Sequence, residues 1–200
     1  LSMLTVNALT RPTLQPVSFE LADGECITVS GASGSGKSLF LRAIADLDPN
    51  EGAVKLDGAA REEMPAPEWR RRVVYVAAEP GWWSEIVGEH FVDWNRARDL
   101  VVATGLPSDC QNWPISRLST GERQRLGLIR ALVLEPRVLL LDEPTSSLDS
   151  TATEAVEELV KSRLVEGTSV LWVTHDGGQS RRLAGRQLIC VAGAISETAP

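Results

Sequence analysis

The chain has 200 residues, 43% of them hydrophobic and 24% charged, which fits one globular domain or a compact two-lobed unit and excludes a mini-protein framework. Its formal net charge of −7 argues against a general nucleic-acid surface, and its widely spaced cysteines (Cys26, Cys110, Cys190) suggest neither disulfides nor a zinc site. With no charged-then-apolar leader and no apolar run near the roughly 20 residues that span a bilayer, we expect a protein of the reducing cytosol without its own membrane insertion.

Short β-branched segments alternate with helical patterns along the chain. The early segments at 4–7, 17–21 and 53–56 indicate an antiparallel β patch. Later strand-like segments are continuously apolar, as expected for a largely parallel sheet that is covered by helices on both faces. These predicted core strands lie at 25–30, 73–77, 138–141, 169–174 and 187–191.

Two segments carry helical signals. Residues 84–118 lack a strand pattern and predict a small helical insert between two core strands. Apolar residues recur at helical spacing over 155–164, behind start signals at 149–154, which predicts an amphipathic helix.

A further helix start is predicted at Ser119, because Glu122 follows three residues later and an apolar run comes after it. Gly121 lies within this first turn, although glycine costs about 1 kcal/mol of helix propensity relative to alanine. The glycine therefore suggests that another group comes close to the backbone here.

Residues 31–38 read GASGSGKS and lie between a predicted strand and a predicted helix, which is the setting of a phosphate-binding P-loop. The glycines let backbone N–H groups turn toward an anion, and the helix dipole adds positive potential. Lys37 suits the β and γ phosphates and Ser38 suits Mg²⁺. The alternative, a serine-capped glycine turn, does not account for the Lys-Ser pair. The predicted nucleotide-binding residues are Gly31, Ala32, Ser33, Gly34, Ser35, Gly36, Lys37, Ser38 and Leu39.

The apolar strand at 138–141 runs into two carboxylates, Asp142 and Glu143. Two acids at the tip of a buried strand are costly unless a cation lies there. Asp142 suits the Mg²⁺ shell, and Glu143 suits orientation and deprotonation of an attacking water. A solvated acidic strand end is the alternative.

Together these residues resemble the ATPase subunits of ATP-binding cassette (ABC) transporters. LSTGE at 118–122 is similar to the family's LSGGQ signature, and LLLDEP at 139–144 to its Walker B strand with the catalytic glutamate. SLD at 147–149 resembles its D-loop, and THD at 174–176 its switch histidine. The resemblance implies an α/β P-loop NTPase with a mainly parallel core sheet, an N-terminal antiparallel β patch and a small helical subdomain. In that organisation residues 1–200 are one ABC ATPase domain, with its core at 1–80 and 119–200 and the helical subdomain at about 81–118.

The family resemblance also implies roles for individual residues. ATP and Mg²⁺ are the implied cofactors, and two molecules of ATP are sandwiched in a head-to-tail homodimer that forms transiently. The implied catalytic residues are Glu143, His175 and Lys37, the metal-binding residues are Ser38 and Asp142, the signature residues acting on the partner's ATP are Ser119, Thr120, Gly121 and Glu122, and the D-loop residue is Asp149. A lone histidine after a strand is more often structural, and Asp149 could also cap a helix.

The sequence departs from the family pattern at several positions. The family's glutamine, which touches Mg²⁺ and couples the site to the permease, corresponds best to Ala78. Glu79 could replace it by a register shift, or the sensor is missing, or the chain carries a substitution. No aromatic residue occurs at 1–16 to stack on adenine, so that an aliphatic side chain or Arg11 would have to do so. Thr120 replaces a signature glycine, which should leave hydrolysis possible.

Trp82, Trp83 and Trp94 cluster after residue 78. They are either core residues or part of the groove that, in the family, receives a short helix of the permease.

We therefore predict the ATP-hydrolysing subunit of an ABC transporter, cytoplasmic and peripheral at the inner face of the cell membrane through a separate permease, with no nucleic acid as partner. The alternatives are a soluble ABC-type ATPase acting on nucleic acid or ribosomes, a weakly active regulatory ATP-binding module, and a generic P-loop kinase or GTPase, which LSTGE disfavours. The short chain and the segment LWVTHD at 171–176 are also similar to small ATPase subunits of metal exporters.

Overall fold

The computed structural model describes residues 2–198, leaving aside the side chain of Ser2, and within them the chain forms ten strands and six α-helices. The strands are β1 (Ser2–Arg11), β2 (Leu14–Ala22), β3 (Cys26–Ser30), β4 (Glu51–Leu56), β5 (Ala59–Ala60), β6 (Val73–Val76), β7 (Val138–Asp142), β8 (Ser169–Val173), β9 (Arg186–Val191) and β10 (Ala194–Glu197). The helices are α1 (Lys37–Ile44), α2 (Ala66–Arg72), α3 (Trp94–Ala103), α4 (Thr120–Leu132), α5 (Ser150–Val165) and α6 (Gly177–Leu183).

A four-stranded antiparallel sheet has the order β2-β1-β4-β5. In the β1–β2 pair Leu4 lies opposite Leu21 and Val6 opposite Phe19, so that one face of the ribbon is apolar. The predicted N-terminal β patch is therefore confirmed, and the two-residue strand β5 extends it.

A second sheet has six strands in the order β10-β9-β3-β8-β7-β6. All neighbours in it are parallel except β10, which pairs antiparallel with β9. The predicted mainly parallel core sheet is thus confirmed. Because β3, β8 and β7 are neighbours, the segments that follow their carboxyl ends lie along one edge of the sheet. That edge is where parallel α/β sheets bind ligands.

Helices and the smaller sheet cover both faces of this core sheet. On one face, α1 and the antiparallel sheet enclose apolar side chains that include Ile27, Leu140 and Leu171. On the other face, α4 and α5 pack over Leu139 and Val170. This double burial explains why β7 and β8 show no polar alternation.

The segment 81–118 contains one α-helix, α3, and three 3₁₀ turns, at Val87–His90, Cys110–Asn112 and Ile115–Arg117. It is therefore less helical than the sequence predicted. Its buried side chains, such as Val101 and Cys110, share a cluster with Leu126 and Ile129 of α4. The division of the chain into a core and a helical subdomain stays a prediction. None of the helices within residues 2–198 has the length and hydropathy to cross a lipid bilayer.

Candidate nucleotide-binding site

The glycine-rich segment forms a loop between β3 and α1. Gly31 has a φ of 143°, and a Cβ built on it would lie 2.2 Å from the carbonyl oxygen of Cys190 on β9. The loop is also held from behind, because the carbonyl of Ser35 accepts hydrogen bonds from the N–H of Gly193 at 2.8 Å and from Sγ of Cys190 at 3.1 Å. The strand β9 and the turn after it therefore support the predicted phosphate cradle.

Lys37 is the first residue of α1 and is 5% exposed. Its Nζ donates to the carbonyl oxygens of Gly31 at 3.0 Å and Ala32 at 2.9 Å. The ammonium thus lies across the mouth of the loop, where its charge is available to an anion that the loop binds.

Asp142 ends β7 with its carboxylate largely buried, at 5% exposure. Tyr75 on the neighbouring strand β6 donates its hydroxyl to Oδ2 of Asp142 at 2.9 Å. Burial raises the pKa of Tyr75, and the adjacent Asp142 carboxylate raises it further, so the phenol remains a donor at neutral pH.

Mg²⁺ fits the chemistry of the residues at this end of the sheet. Ser38 is exposed in the first turn of α1, which packs against β7, the strand that ends in Asp142. A hydroxyl, one carboxylate and phosphate oxygens are a usual donor set for Mg²⁺, which keeps several waters. Within residues 2–198 no group of three or more histidine, cysteine and acidic side chains is arranged to hold a metal ion, and a donor set of this kind does not require one.

Glu143 and His175 are brought into direct contact. Oε1 of Glu143 lies 2.7 Å from Nε2 of His175, although the two residues are 32 positions apart. Glu143 has a φ of 49°, in the left-handed region, which costs a residue with a side chain of the order of 1 kcal/mol or more and is found often at functional sites. Both residues line a cleft of about 840 Å³.

The signature segment begins α4 with the predicted capping box. Oγ of Ser119 accepts the N–H of Glu122 at 3.2 Å, and Oε2 of Glu122 accepts the N–H of Ser119 at 2.8 Å. A Cβ built on Gly121 would lie 2.9 Å from the carbonyl oxygen of Ser147 and 3.0 Å from Cδ2 of Leu148. The group that comes close to Gly121 is thus the D-loop of the same chain.

The signature segment and the D-loop line one cleft of about 400 Å³. Its lining residues include Ser119, Thr120, Gly121, Ser147 and Asp149. Asp149 also caps α5, since its Oδ1 accepts the N–H of Ala152 at 2.8 Å. The capping alternative is therefore observed, and the D-loop role of Asp149 stays a prediction.

Gln124 is a buried polar residue of α4, 3% exposed, that no motif in the sequence singled out. Its Nε2 donates to the carbonyl of Ala78 at 3.1 Å and to Oγ of Ser146 at 2.9 Å, and its Oε1 accepts the N–H of Ser147 at 3.1 Å. One side chain thus connects the signature helix, the segment after β6 and the D-loop. In the sequence it is one polar residue between two arginines.

A second undetected network involves Glu157, a 2% exposed acid on α5. Arg182 on α6 donates two hydrogen bonds to the Glu157 carboxylate, with N···O distances of 3.0 and 2.7 Å. Gln179 on α6 donates to Oε1 of Glu157 at 3.0 Å and to Oγ1 of Thr145 at 3.1 Å. The helix after His175 is therefore fixed both to α5 and to the segment after Glu143.

Residues 14–146 match the family model described as ABC transporter. The chain belongs to the ABC transporter family. This membership, together with the α/β fold, confirms the predicted family and fold class and excludes a generic kinase or GTPase.

Two relatives of this ABC transporter chain are named as ATP-binding proteins. It is 35% identical, over 99% of its length, to the "Fe(3+) ions import ATP-binding protein FbpC" of Streptomyces avermitilis, of which it spans 61%. It is also 35% identical, over 91% of its length, to the "Aliphatic sulfonates import ATP-binding protein SsuB 2" of Agrobacterium fabrum, of which it spans 71%.

Solved structures show the same fold. An ATP-binding subunit of an ABC transporter superposes with a TM-score of 0.89 at 23% identity, covering 99% of this chain and 90% of that one. A dimeric post-hydrolysis state of the ATP-binding cassette MJ0796, bound to ADP and Pi, gives a TM-score of 0.80 at 26% identity, covering 98% of each chain.

Three residues of the ABC transporter chain that bear on its departures from the family pattern, Ala78, Glu79 and Arg11, have defined surroundings in the structure. Ala78 presents only its backbone carbonyl, to Gln124. Glu79 is exposed, and its side chain forms no hydrogen bond or ion pair with any residue of the 2–198 segment. Arg11, the candidate for adenine stacking, donates to Oδ2 of Asp48 at 2.7 Å, so its guanidinium is already engaged.

The three tryptophans have different surroundings. Trp83 is 68% exposed, while Trp82 and Trp94 are partly buried. The rings of Trp82 and Trp83 lie 4.8 and 4.5 Å from the ring of His90, and the Arg130 guanidinium lies 4.9 and 4.8 Å from the two indole centroids. We call Trp82, Trp83, His90 and Arg130 the tryptophan surface.

Proposed function

We propose that this chain is the ATP-hydrolysing subunit of an ABC transporter, which binds MgATP at residues 31–39, dimerises head to tail and drives a separate membrane permease. The proposal rests chiefly on the 2.7 Å contact between Glu143 and His175 at the sheet edge that also carries the P-loop. The printed names of two relatives, which are import ATP-binding proteins, support an importing transporter, and we place this subunit at the inner face of the membrane as part of the proposal.

The chain's residues supply the parts that phosphoryl transfer to water requires. Lys37 places a positive charge at the loop, and Ser38 and Asp142 would hold Mg²⁺. Bound Mg²⁺ would neutralise charge on the phosphate oxygens. The Glu143 carboxylate accepts a proton from the attacking water, and His175 holds that carboxylate in place through Nε2. Catalysis of this type depends on positioning and electrostatics rather than on a covalent intermediate.

The signature cleft supports a role for a second copy of the chain. Its lining residues come from the starts of α4 and α5 and from the D-loop, and none belongs to the P-loop. The N-terminus of α4 can therefore face an anion only if another molecule brings one. The dimeric MJ0796 structure, which this chain resembles over 98% of its length, favours a second subunit as that molecule.

Mixing two inactive variants tests this arrangement. Lys37→Ala removes the phosphate-binding charge, and Ser119→Arg fills the signature cleft. In a head-to-tail heterodimer of the two, one composite site keeps an intact P-loop and an intact signature, so ATP hydrolysis should reappear when the variants are mixed. The readout is phosphate release at equal total protein concentration.

Each variant alone is the control for the mixture. Two results together would contradict the dimeric mechanism. The mixture would stay as inactive as its components, and the unmodified chain would remain monomeric in small-angle scattering with a non-hydrolysable ATP analogue. An unmodified chain that does not bind ATP at all would contradict the function as a whole.

We further propose that the permease docks on the tryptophan surface. Trp83 offers a large exposed apolar ring, and burial lowers the pKa of Arg130 beneath it, which remains a cation at neutral pH. Trp and Arg are common anchors of protein interfaces. Trp83→Ala should reduce co-purification with the cognate permease while leaving the isolated subunit's ATPase rate unchanged. Val165→Ala, at a 90% exposed valine of α5, is the matched control.

A further inference from the structure

Tyr75 is the single tyrosine of the chain, and it lies on the edge strand of the core sheet. In the β6–β7 pair Tyr75 is opposite Leu140. Since side chains alternate along a strand, Tyr75, Leu140 and Asp142 share one face of the sheet. The tyrosine therefore points along the face on which α1 and the predicted metal ligand lie.

The hydroxyl of Tyr75 contacts the predicted ligand directly. It donates to Oδ2 of Asp142 at 2.9 Å, and Oδ1 takes no part in this bond. The donor is thus an outer-shell partner that fixes how the carboxylate is turned. Mutation of an outer-shell partner typically lowers metal affinity or activity by about 10–100-fold.

The ring of Tyr75 is itself held in position. The guanidinium of Arg42 lies 5.9 Å from the ring centroid. Arg42 in turn forms a two-pronged ion pair with Asp48, with N···O distances of 2.7 and 2.8 Å. A phenol that is fixed at its ring and bonded at its hydroxyl is a preorganised support rather than a mobile surface group.

The residues just after β6, at the predicted sensor position, supply no polar side chain to this site. Ala78 has no polar side-chain group, and Glu79 is exposed and unbonded within the described chain. The side chain of Tyr75 joins β6 to Asp142 through the hydrogen bond that its hydroxyl donates.

We propose that Tyr75 is a positioning residue of the Mg²⁺ site, which orients the Asp142 carboxylate and connects β6 to the metal site in place of a side chain at residue 78. The proposal rests on the proposed function, because it assigns Mg²⁺ to Asp142. It goes beyond that function in naming a residue outside the nucleotide-binding motifs that controls metal affinity selectively.

A substitution that removes only the hydroxyl tests the proposal. Tyr75→Phe keeps the ring and should leave the affinity for a non-hydrolysable ATP analogue in EDTA unchanged. The gain in affinity on adding Mg²⁺, measured by titration calorimetry, should fall by about 10-fold, because outer-shell partners typically change metal affinity by that factor or more.

Thr28→Val is the matched control. Thr28 lies on β3 of the same sheet, is 0% exposed, and has an Oγ1 without a hydrogen-bond partner. Its removal also takes one buried hydroxyl from the core sheet but none from the metal site, so the Mg²⁺-dependent gain should equal that of the unmodified chain.

The single tyrosine gives a second readout that does not depend on affinity. Incorporation of fluorotyrosine places one fluorine resonance beside Asp142. Addition of the analogue with Mg²⁺ should move this resonance further than the analogue with EDTA does. In Tyr75→Phe, a higher Mg²⁺ concentration should restore the normal Mg²⁺ response. A higher nucleotide concentration should not restore it.

The two failures are distinguishable. An unmodified chain that binds the analogue equally well with Mg²⁺ and with EDTA would remove the metal site itself, and with it part of the proposed function. The role of Tyr75 alone would be overturned if the unmodified chain and the Tyr75→Phe variant showed the same normal Mg²⁺ response and the fluorine resonance did not shift on addition of Mg²⁺.

Discussion

Nε2 of His175 lies 2.7 Å from Oε1 of Glu143, and this contact joins the segments that follow two neighbouring strands, β8 and β7. Glu143 has a positive φ of 49° here, and its N–H donates to the carbonyl of Val173 at 3.2 Å. The backbone and the imidazole therefore both restrict where the carboxylate can point. A base that must meet a water in line with a phosphate benefits from such restriction.

The first prediction concerns the carboxylate itself. Glu143→Gln keeps the size of the side chain and an oxygen acceptor near His175 but cannot accept a proton, so the rate of ATP hydrolysis should fall by about 100-fold or more. ATP binding and ATP-dependent dimerisation should persist. Phosphate release and equilibrium binding measure the two properties separately.

Glu154→Gln is the control for this substitution, because Glu154 is exposed and lines the same cleft without contacting His175. Its hydrolysis rate should match that of the unmodified chain. Unchanged turnover in Glu143→Gln would remove Glu143 from the catalytic role.

The second prediction concerns Gly121. Alanine has better helix propensity than glycine by about 1 kcal/mol. At position 121, however, the added Cβ would lie 2.9 Å from the backbone carbonyl of Ser147. Since a backbone atom cannot rotate away, the D-loop or the start of α4 has to shift, and Gly121→Ala should lower the free energy of unfolding by about 1–3 kcal/mol. Urea denaturation measures this change.

Gly177→Ala is a matched control, because Gly177 also lies in the first turn of a helix, α6, and a Cβ there would meet no atom within 4 Å. It should leave the free energy of unfolding unchanged or raise it. Equal behaviour of the two variants would show that the contact with Ser147 is not restrictive.

The case of Gly121 shows how far the sequence carries. The motif and the capping residues predicted both the helix start and a close approach to the glycine, because those signals are local. The family resemblance implied a partner-held phosphate near this turn, which stays a prediction, but the sequence did not indicate that Ser147 of the same chain also lies close to Gly121. Which segment meets a glycine depends on tertiary packing, which spacing along the chain does not contain.

The same limit applies to the other residues that were not predicted. The core strands and the P-loop were predictable since apolar runs and the Gly-Lys-Ser spacing are strong signals. Gln124, Glu157 and Tyr75 act through partners 19 or more positions away. The short elements α2 and β10 were also missed, because seven and four residues carry little periodicity.

The third prediction concerns the buried acid on α5. Glu157→Ala removes the hydrogen bonds from Arg182 and Gln179 and should lower the free energy of unfolding by about 2 kcal/mol. It should also lower the rate of ATP hydrolysis, since α6 begins two residues after His175. Glu158→Ala is the control, because Glu158 is an exposed neighbour whose one ion pair within residues 2–198 is with Lys161, and it should change neither quantity appreciably.

Two measurements separate stability from positioning in this variant. Thermal or urea unfolding gives the first, and hydrolysis far below the unfolding transition gives the second. A Glu157→Ala chain as stable and as active as Glu158→Ala would contradict a role for the network that joins α5, α6 and Thr145.

The last prediction follows from the ion pairs of Asp48. Hydrogen bonds from Arg42 and then Arg11 outweigh the opposing effect of burial and lower the pKa of Asp48 from an ordinary value of 3.8 to about 2. Because the folded state binds this proton more weakly than the unfolded state, the pair stabilises the fold above the ordinary pKa. That contribution should decline as the pH falls from about 4 to about 2, where Asp48 becomes protonated.

Acid titration of the unfolding free energy checks this sign. Asp48→Asn cannot ionise, so its curve should be lower near neutral pH and flatter between about pH 4 and about pH 2 than that of the unmodified chain. Glu51→Gln, at an exposed acid without a described ion pair, is the control and should keep the steep acid limb. If the free energy of unfolding of Asp48→Asn falls between about pH 4 and about pH 2 as steeply as that of Glu51→Gln, the prediction is wrong. Protonation of acids other than Asp48 would then account for the loss of stability in acid.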